Sequence, residues 1–571
     1  MIRHVFRKPF VCALWLIVAA IACGGCPSVV AQTSVRGAAA RNLVFSTYLG
    51  GSTACADCSD ARTYAQNAAS DASGDTYVTG ATKVSDLAAP FVCQGKPAAH
   101  SKLSAFVVKY DAYGRLLWCT YLGGNKQSMG VGVAVMPDGG VAVSGMTTSD
   151  GSQPFPTLNA FQDKNNGKSD YFVSVFDAKG KLRYSTYLGG SEVDGEDGDF
   201  GDASANGDNI AVDAAGLVYL TGSTSSRGGA APAIKFPVTW NAIQPDMKGA
   251  KDTSDAFLCV LDPAKSGKAS LLYCSFLGGS QIDRGHSVAA SASGGAIAVA
   301  GYTKSPDFPT TASGYRSLPA QDGYLSNGFV TEFRAAQNCN GPVSCSYVMR
   351  YSTYLGGVSK DARDDTYDIA LDSRGLILAT GRTVSSDFPM TPYGRSIYNK
   401  APYLKAGSAN DQPYLVKIDP SLAGKASLAY STFLGGGGFC TGVAVDQTGG
   451  AFVAGEEWVD GAAFKLSHFP VESPKLFPYT SSALIRSRQG GVDAILTQIA
   501  PDGGRLSYST YLGGTKDDSS YGLAVDRFGD VVVSGATASR DFPLKNPAQG
   551  WPPGSVQNAF ITKFPFGSYL H

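Results

Sequence analysis

"LVFSTYLGG", Leu43–Gly51, is a phrase that the chain writes seven times. It returns as "LLWCTYLGG" from Leu116, "LRYSTYLGG" from Leu182, "LLYCSFLGG" from Leu271, "MRYSTYLGG" from Met349, "LAYSTFLGG" from Leu428 and "LSYSTYLGG" from Leu506. Counted between Tyr48, Tyr121, Tyr187, Phe276, Tyr354, Phe433 and Tyr511, the spacing runs from 66 to 89 residues. Recurrence of this kind marks a repeat architecture.

Two further phrases fill each interval. One is a pair of β-rich runs around a Gly-containing turn, as in "NIAVDAAGLVYLTGST" from Asn209 and "GLAVDRFGDVVVSGAT" from Gly522, and it reads as a hairpin. The Asp of that turn (Asp71, Asp213, Asp372, Asp446, Asp526) can accept from backbone amides ahead of it, which makes it a turn-former and not a catalyst. The other is "AFVVKYD" from Ala105, "AFLCVLD" from Ala256, "AFITKF" from Ala559 and four cognates. Each unit therefore holds four strands, apolar on both faces, as in a sheet packed between two others. Seven such sheets set radially make a seven-bladed β-propeller, an all-β fold. The last unit ends at "AFITKFPFGSYLH" without its own "STYLGG". Leu43–Gly51 should supply that strand by pairing with Ala559–Phe564, closing the ring and leaving no open edge.

The cycle "YSTYLGG … IAVDxxGxxYVTGxTxSxDFP … AFVxKF", seen here in "RYSTYLGG" at 183–190 and "TVSSDFPMT" at 383–391, resembles the SBBP β-propeller repeat family of exported and cell-surface bacterial proteins. The resemblance covers nearly everything after residue 42. It implies the propeller fold and an exported setting, and no catalytic residues. The chain departs from the pattern in its first blade, where "APFV" at 89–92 replaces the "DFP" element, and in insertions in blades three, four and six.

Composition narrows the function classes. Lys plus Arg equals Asp plus Glu at 47 each, so no overall positive field draws nucleic acid. The leader carries Arg3, Arg7 and Lys8 before an apolar run from Val11 to Ala22, the length of a signal-peptide core and short for a membrane span. Signal peptidase could cut after Ala31. Alternatively "AIAC" resembles a lipobox and would leave a lipid anchor on Cys23, the only membrane contact expected. The resulting division is a signal peptide over 1–31, a linker over 32–42 and one propeller over 43–571, expected as a monomer.

Export permits disulfides. Nine of the 12 cysteines follow Ala31, an odd number. Cys259 and Cys274 lie on the two arms of one hairpin and should bridge, and Cys339 with Cys345 could close a small loop. Cys55, Cys58, Cys93 and Cys119 could share two bridges in a pairing the sequence leaves open, as it does the state of Cys440. "CADC" at 55–58 has zinc-ligand spacing but no second pair.

Six Phe-Pro pairs, at 155, 236, 308, 388, 469 and 542, recur too regularly to mark a site and are read as blade construction. Function should lie where blades differ. Blade three carries "SEVDGEDGDFGDASANGDN" over 191–209, and Asp194, Glu196, Asp197, Asp199 and Asp202 are candidate calcium ligands on a turning backbone. A solvated acidic loop is the plainer reading. Asp283, Asp361, Asp364, Asp365, Asp517 and Asp518 in related loops suggest one acidic face. The central channel is the second place for a ligand, with Asn67, Asn209, Ser287, Asp368 and Thr441 expected to face it. His286, beside Ser287, has no evident third partner and reads as a channel-lining residue. No G-x-S-x-G, H-E-x-x-H or phosphate loop occurs. The favoured function is thus a non-catalytic binding or surface-scaffold module for protein or polysaccharide. The alternative is a calcium-dependent hydrolase or lyase on the acidic face.

Overall fold

The computed structural model describes residues 43–567 apart from 56–57, 98–100, 152, 196–207, 229–232, 320–325, 337–345, 359–362, 386, 393–394, 396, 398–410 and 459–476. Twenty-eight strands form seven four-stranded antiparallel sheets. Blade one runs Thr63–Ser70, Thr76–Thr82, Ser104–Tyr110 and Leu116–Leu122 from the axis outward. Blades two to six repeat the order over 128–188, 210–277, 283–355, 364–433 and 438–512. Blade seven consists of Asp518–Val525, Val531–Thr537 and Asn558–Phe564, and its outer strand is Phe45–Leu49. The closing register pairs Phe45 with Lys563 and Leu49 with Ala559, where the sequence places it.

Packing explains the recurring phrase letter by letter. The Ser of "STYLGG" donates to the carbonyl of the blade's own Phe-Pro proline: Ser46 to Pro543 at 2.7 Å, Ser185 to Pro156 at 2.6 Å and Ser352 to Pro309 at 2.7 Å. The Tyr ring is buried, and its hydroxyl joins the two ends of the same loop. Tyr354 Oη accepts from the Phe308 amide at 3.1 Å and donates to Ser305 O at 2.8 Å, and Tyr187 does the same with Phe155 and Ser149. The Phe of each pair stacks on the aromatic residue of the third strand, with centroids 4.5 Å apart for Phe308–Phe329 and 4.3 Å for Phe155–Phe172. These rings lie within the apolar layers that join neighbouring blades. Phe469 falls outside the described residues, and Phe477 packs on Tyr511 in that blade.

Every outer strand would expose a free edge. Instead, the segment after each Phe-Pro position lays one to three backbone hydrogen bonds along it, as Thr311 to Ser352 at 3.0 Å and Lys545 to Ser46 at 3.1 Å. Covered edges cannot template pairing with another chain. The hairpin turns behave as their chemistry requires: Asp213 Oδ1 accepts from Ala215 and Leu217 amides, and Gly216 adopts φ +81°. In three blades the turn Asp has a second role. Lys109, Lys417 and Lys563, from the "K" of the third-strand phrase, are buried and pair with Asp71, Asp372 and Asp526 at 3.1, 2.9 and 2.8 Å.

Three disulfides are present among the described residues. Cys259–Cys274 joins register partners in blade three, Cys93–Cys119 pins the edge-covering segment of blade one to its outer strand, and Cys55–Cys58 closes a local turn. Cys440 is a buried free thiol. Cys339 and Cys345 lie outside the described residues. No helix among the described residues is long and apolar enough to cross a membrane.

Candidate functional site

The loops that the sequence marks as acidic prove to be joints between blades. Asp283, Asp364 and Asp518 open the inner strands of blades four, five and seven, Asp194 of blade three bridges Thr224 at the end of its second strand, and all four are fully buried. Each accepts from the amide of the second Gly of the preceding "LGG": Gly190 at 2.5 Å, Gly279 at 2.7 Å, Gly357 at 2.8 Å and Gly514 at 2.7 Å. Each also accepts from the Ser of the "T-x-S" that ends its hairpin, Ser226, Ser305, Ser385 and Ser539, at 2.8–3.0 Å. The Asp of "DFP" then ties down the loop itself, as Asp307 accepts from Ser280 N at 2.7 Å. Burial pushes these four carboxyls up to about 7 against the hydrogen bonds that favour ionisation.

An acidic face formed by Asp283, Asp364 and Asp518 is therefore corrected: these carboxylates are interior. Asp365 is buried as well and pairs with Arg382 at 2.8 Å, whereas Asp517 is exposed. Of the proposed calcium ligands, Asp194 has both oxygens engaged, Oδ1 accepting from Thr224 and Oδ2 from Gly190 and Ser226. Glu196, Asp197, Asp199 and Asp202, like Asp361, lie outside the described residues.

The channel residues do converge. Six inner strands carry a bulge, and the axial position directly follows it. That position is Asn67, Gly132, Ser287, Asp368, Gly442 and Gly522 in blades one, two, four, five, six and seven, and Asn209 precedes the inner strand of blade three. Thr441 stands on the bulge, one residue ahead, and donates to Ser520 O at 2.8 Å. His286 is also a bulge residue, with Nδ1 2.9 Å from Thr366 O and its ring between Tyr302 and Tyr367.

Asp208 is the hub that sequence reasoning placed in the acidic loop and not on the axis. Its Oδ1 accepts from Asn67 Nδ2 of blade one, its amide donates to Asp368 Oδ1 of blade five at 3.3 Å, and its carbonyl accepts from Val288 of blade four at 2.9 Å. Blades one, three and five are not neighbours, so only a residue on the axis can touch all three. Asp368 Oδ1 also accepts from Ser287 Oγ at 2.7 Å, and its Oδ2 accepts from Val443 N at 2.6 Å. Asn209 Oδ1 accepts from Ser144 Oγ at 2.5 Å. Burial raises both axial carboxyls, and Asp368 raises Asp208 further as a like charge.

A second concavity, about 660 Å³, opens on the rim where the ring closes. Leu49 of the closing strand, the 546–549 segment that covers it, Pro90–Phe91 and Tyr110–Leu116 of blade one form its walls. Tyr113 is 72% exposed and Phe91 41%. Gln549 fixes the seam by donating to the Gly50 and Ala89 carbonyls at 3.1 and 2.9 Å.

No family model matches the chain. It is 29% identical over 120 residues to the regulatory protein FlaEY of Caulobacter vibrioides, and that stretch is 21% of this chain and 11% of the relative. The hydrazine synthase of Kuenenia stuttgartiensis aligns at 10% identity and TM-score 0.36 over 83% of this chain and 92% of that one. The U3-55K structure aligns at 10% identity and TM-score 0.39 over 90% and 98%. The architecture accordingly rests on this chain's own strand pairing.

Proposed function

We propose that this chain is an exported β-propeller of the SBBP repeat type, a monomeric, non-catalytic binding module whose ligand is a polysaccharide held in the rim groove. The groove itself supports the reading: it has the volume of a small-ligand site, aromatic walls and a polar edge. Flat phenyl and phenol faces suit the C–H faces of pyranose rings, and Arg115, on the same wall, suits their hydroxyls. The carboxylates that recur from blade to blade are committed to structural hydrogen bonds, which favours binding over hydrolysis. The basic leader and the three disulfides support export.

Affinity electrophoresis against a set of neutral and acidic polysaccharides tests the site. Tyr113→Ala and Phe91→Ala should each weaken retention by about tenfold, the scale of one lost stacking contact. Retention unchanged in both variants would place the ligand elsewhere, and retention by no polysaccharide would turn the reading toward a protein ligand. Cell fractionation with N-terminal sequencing of the mature protein tests export.

A further inference from the structure

Many buried acids in this fold are matched to donors or cations. The turn carboxylates of blades one, five and seven have buried lysines, and the inner-strand carboxylates have the Gly amide and Ser hydroxyl pattern. On the axis two acids meet. Asp208 and Asp368 face one another there, and among the described residues neither is paired with Lys, Arg or His. Asn67 is 1% exposed, gives its Nδ2 to Asp208 and leaves its Oδ1 without a partner. A buried acceptor without a donor is costly, and the amide that carries it is in contact with the Asp208 carboxylate.

We propose that a divalent cation of the calcium class binds on the propeller axis, held by the Asp208 and Asp368 carboxylates and Asn67 Oδ1. Three hard oxygens carrying two negative charges match such an ion, and water completes its coordination. Asp208 is only partly buried, so the axis is reachable from solvent at this residue. A proton shared between the two acids would satisfy them and leave Asn67 Oδ1 orphaned, whereas a cation satisfies all three oxygens together. Contributions come from blades one, three and five, so the ion would tie non-adjacent blades across the ring. This site is separate from the rim groove, and its failure would leave the polysaccharide reading untouched.

The experiment uses the full mature protein, stripped with chelator and titrated with calcium by calorimetry, with thermal melts in calcium and in chelator. Wild type should bind one ion per chain at the axis and melt higher in calcium. Asp368→Asn should lose that ion and the rise, while Asp197→Ala with Asp199→Ala should keep both. Asn67→Asp guards against misfolding of the first variant. A third carboxylate at an occupied site should tighten calcium binding by about tenfold, since charge count tunes such sites. At an axis without a cation it should lower the melting temperature with no rescue by calcium. Identical wild-type melts in calcium and chelator, or an ion retained unchanged by Asp368→Asn, would overturn the proposal.

Discussion

Replacing Asp255 by Asn should stabilise the protein above pH 6 and change little at pH 4. Asp255 opens the third strand of blade three and faces Asp283 of blade four across Gly278. The two acids crowd that glycine so closely that a Cβ there would lie 2.6 Å from Asp255 Cγ and 2.7 Å from Asp283 Oδ2. Neither acid is exposed. Asp255 Oδ2 accepts from Gln244 Nε2 at 2.9 Å, but Oδ1 has no partner. Burial holds its carboxyl up at about 6. Asp283 is at about 7, raised by burial and then by Asp255. The third strand of the next blade opens on Asn327 instead, and a neutral amide keeps its donor at every pH. Below pH 4 Asp255 is protonated in the folded and unfolded chain alike and contributes nothing. Between pH 4 and 6 the unfolded chain releases this proton first, so stability falls as pH rises, and above pH 6 the loss is complete. A carboxyl held at about 6 against an ordinary value near 4 corresponds to about 3 kcal/mol. Unfolding entropy near 2 cal/mol/K per residue makes 1 kcal/mol worth about 1 °C in a chain of this size. Calorimetric melts at pH 4 and pH 8 should thus show Asp255→Asn level with wild type at the first and about 3 °C above it at the second. An equal gap at both values, or a variant less stable at pH 8, would refute the account of the joint.

The closing strand carries the ring. A chain beginning at Gly51 loses the burial of Phe45, Tyr48 and Leu49, about 2 kcal/mol each, and bares an edge, so it should melt several degrees lower and aggregate in light scattering. Lys417→Met removes the buried cation of Asp372 in blade five, leaving the exposed Arg374 at 3.3 Å, and should cost about 3 kcal/mol in denaturant unfolding at pH 8. The cost should shrink at pH 4, because Asp372, held below the ordinary carboxylate range by Lys417 and turn amides against its burial, can then take up a proton. Under mild reductant, alkylation and peptide mapping should find Cys58 labelled before Cys259 and Cys274, which are fully buried on paired strands.

Strand number, blade order and the Cys259–Cys274 bridge are legible in the sequence because each depends on neighbours along the chain, and ring closure is legible because the last blade lacks one copy of a counted phrase. A hairpin's turn sets its own register, and a phrase written seven times announces seven copies of one sheet. The same locality explains the errors. Asp283, Asp364 and Asp518 sit among glycines and serines and look solvated. Their hydrogen-bond partners are the glycine a few residues ahead and the T-x-S of their own hairpin, and what the sequence hides is their burial, which comes only when blades pack. The Lys of "AFVTKF" looks like an exposed strand residue until the turn Asp arrives beneath it. Asp208 reads as one more acid in an acidic loop. Only the radius at which seven sheets close brings it against Asn67 and Asp368, 141 and 160 residues away. Side-chain alternation and turn chemistry act over a few residues, and they fixed the blades. Desolvation and the pairing of charge act across the ring, so the tertiary structure alone decided which acids are interior and which two meet on the axis.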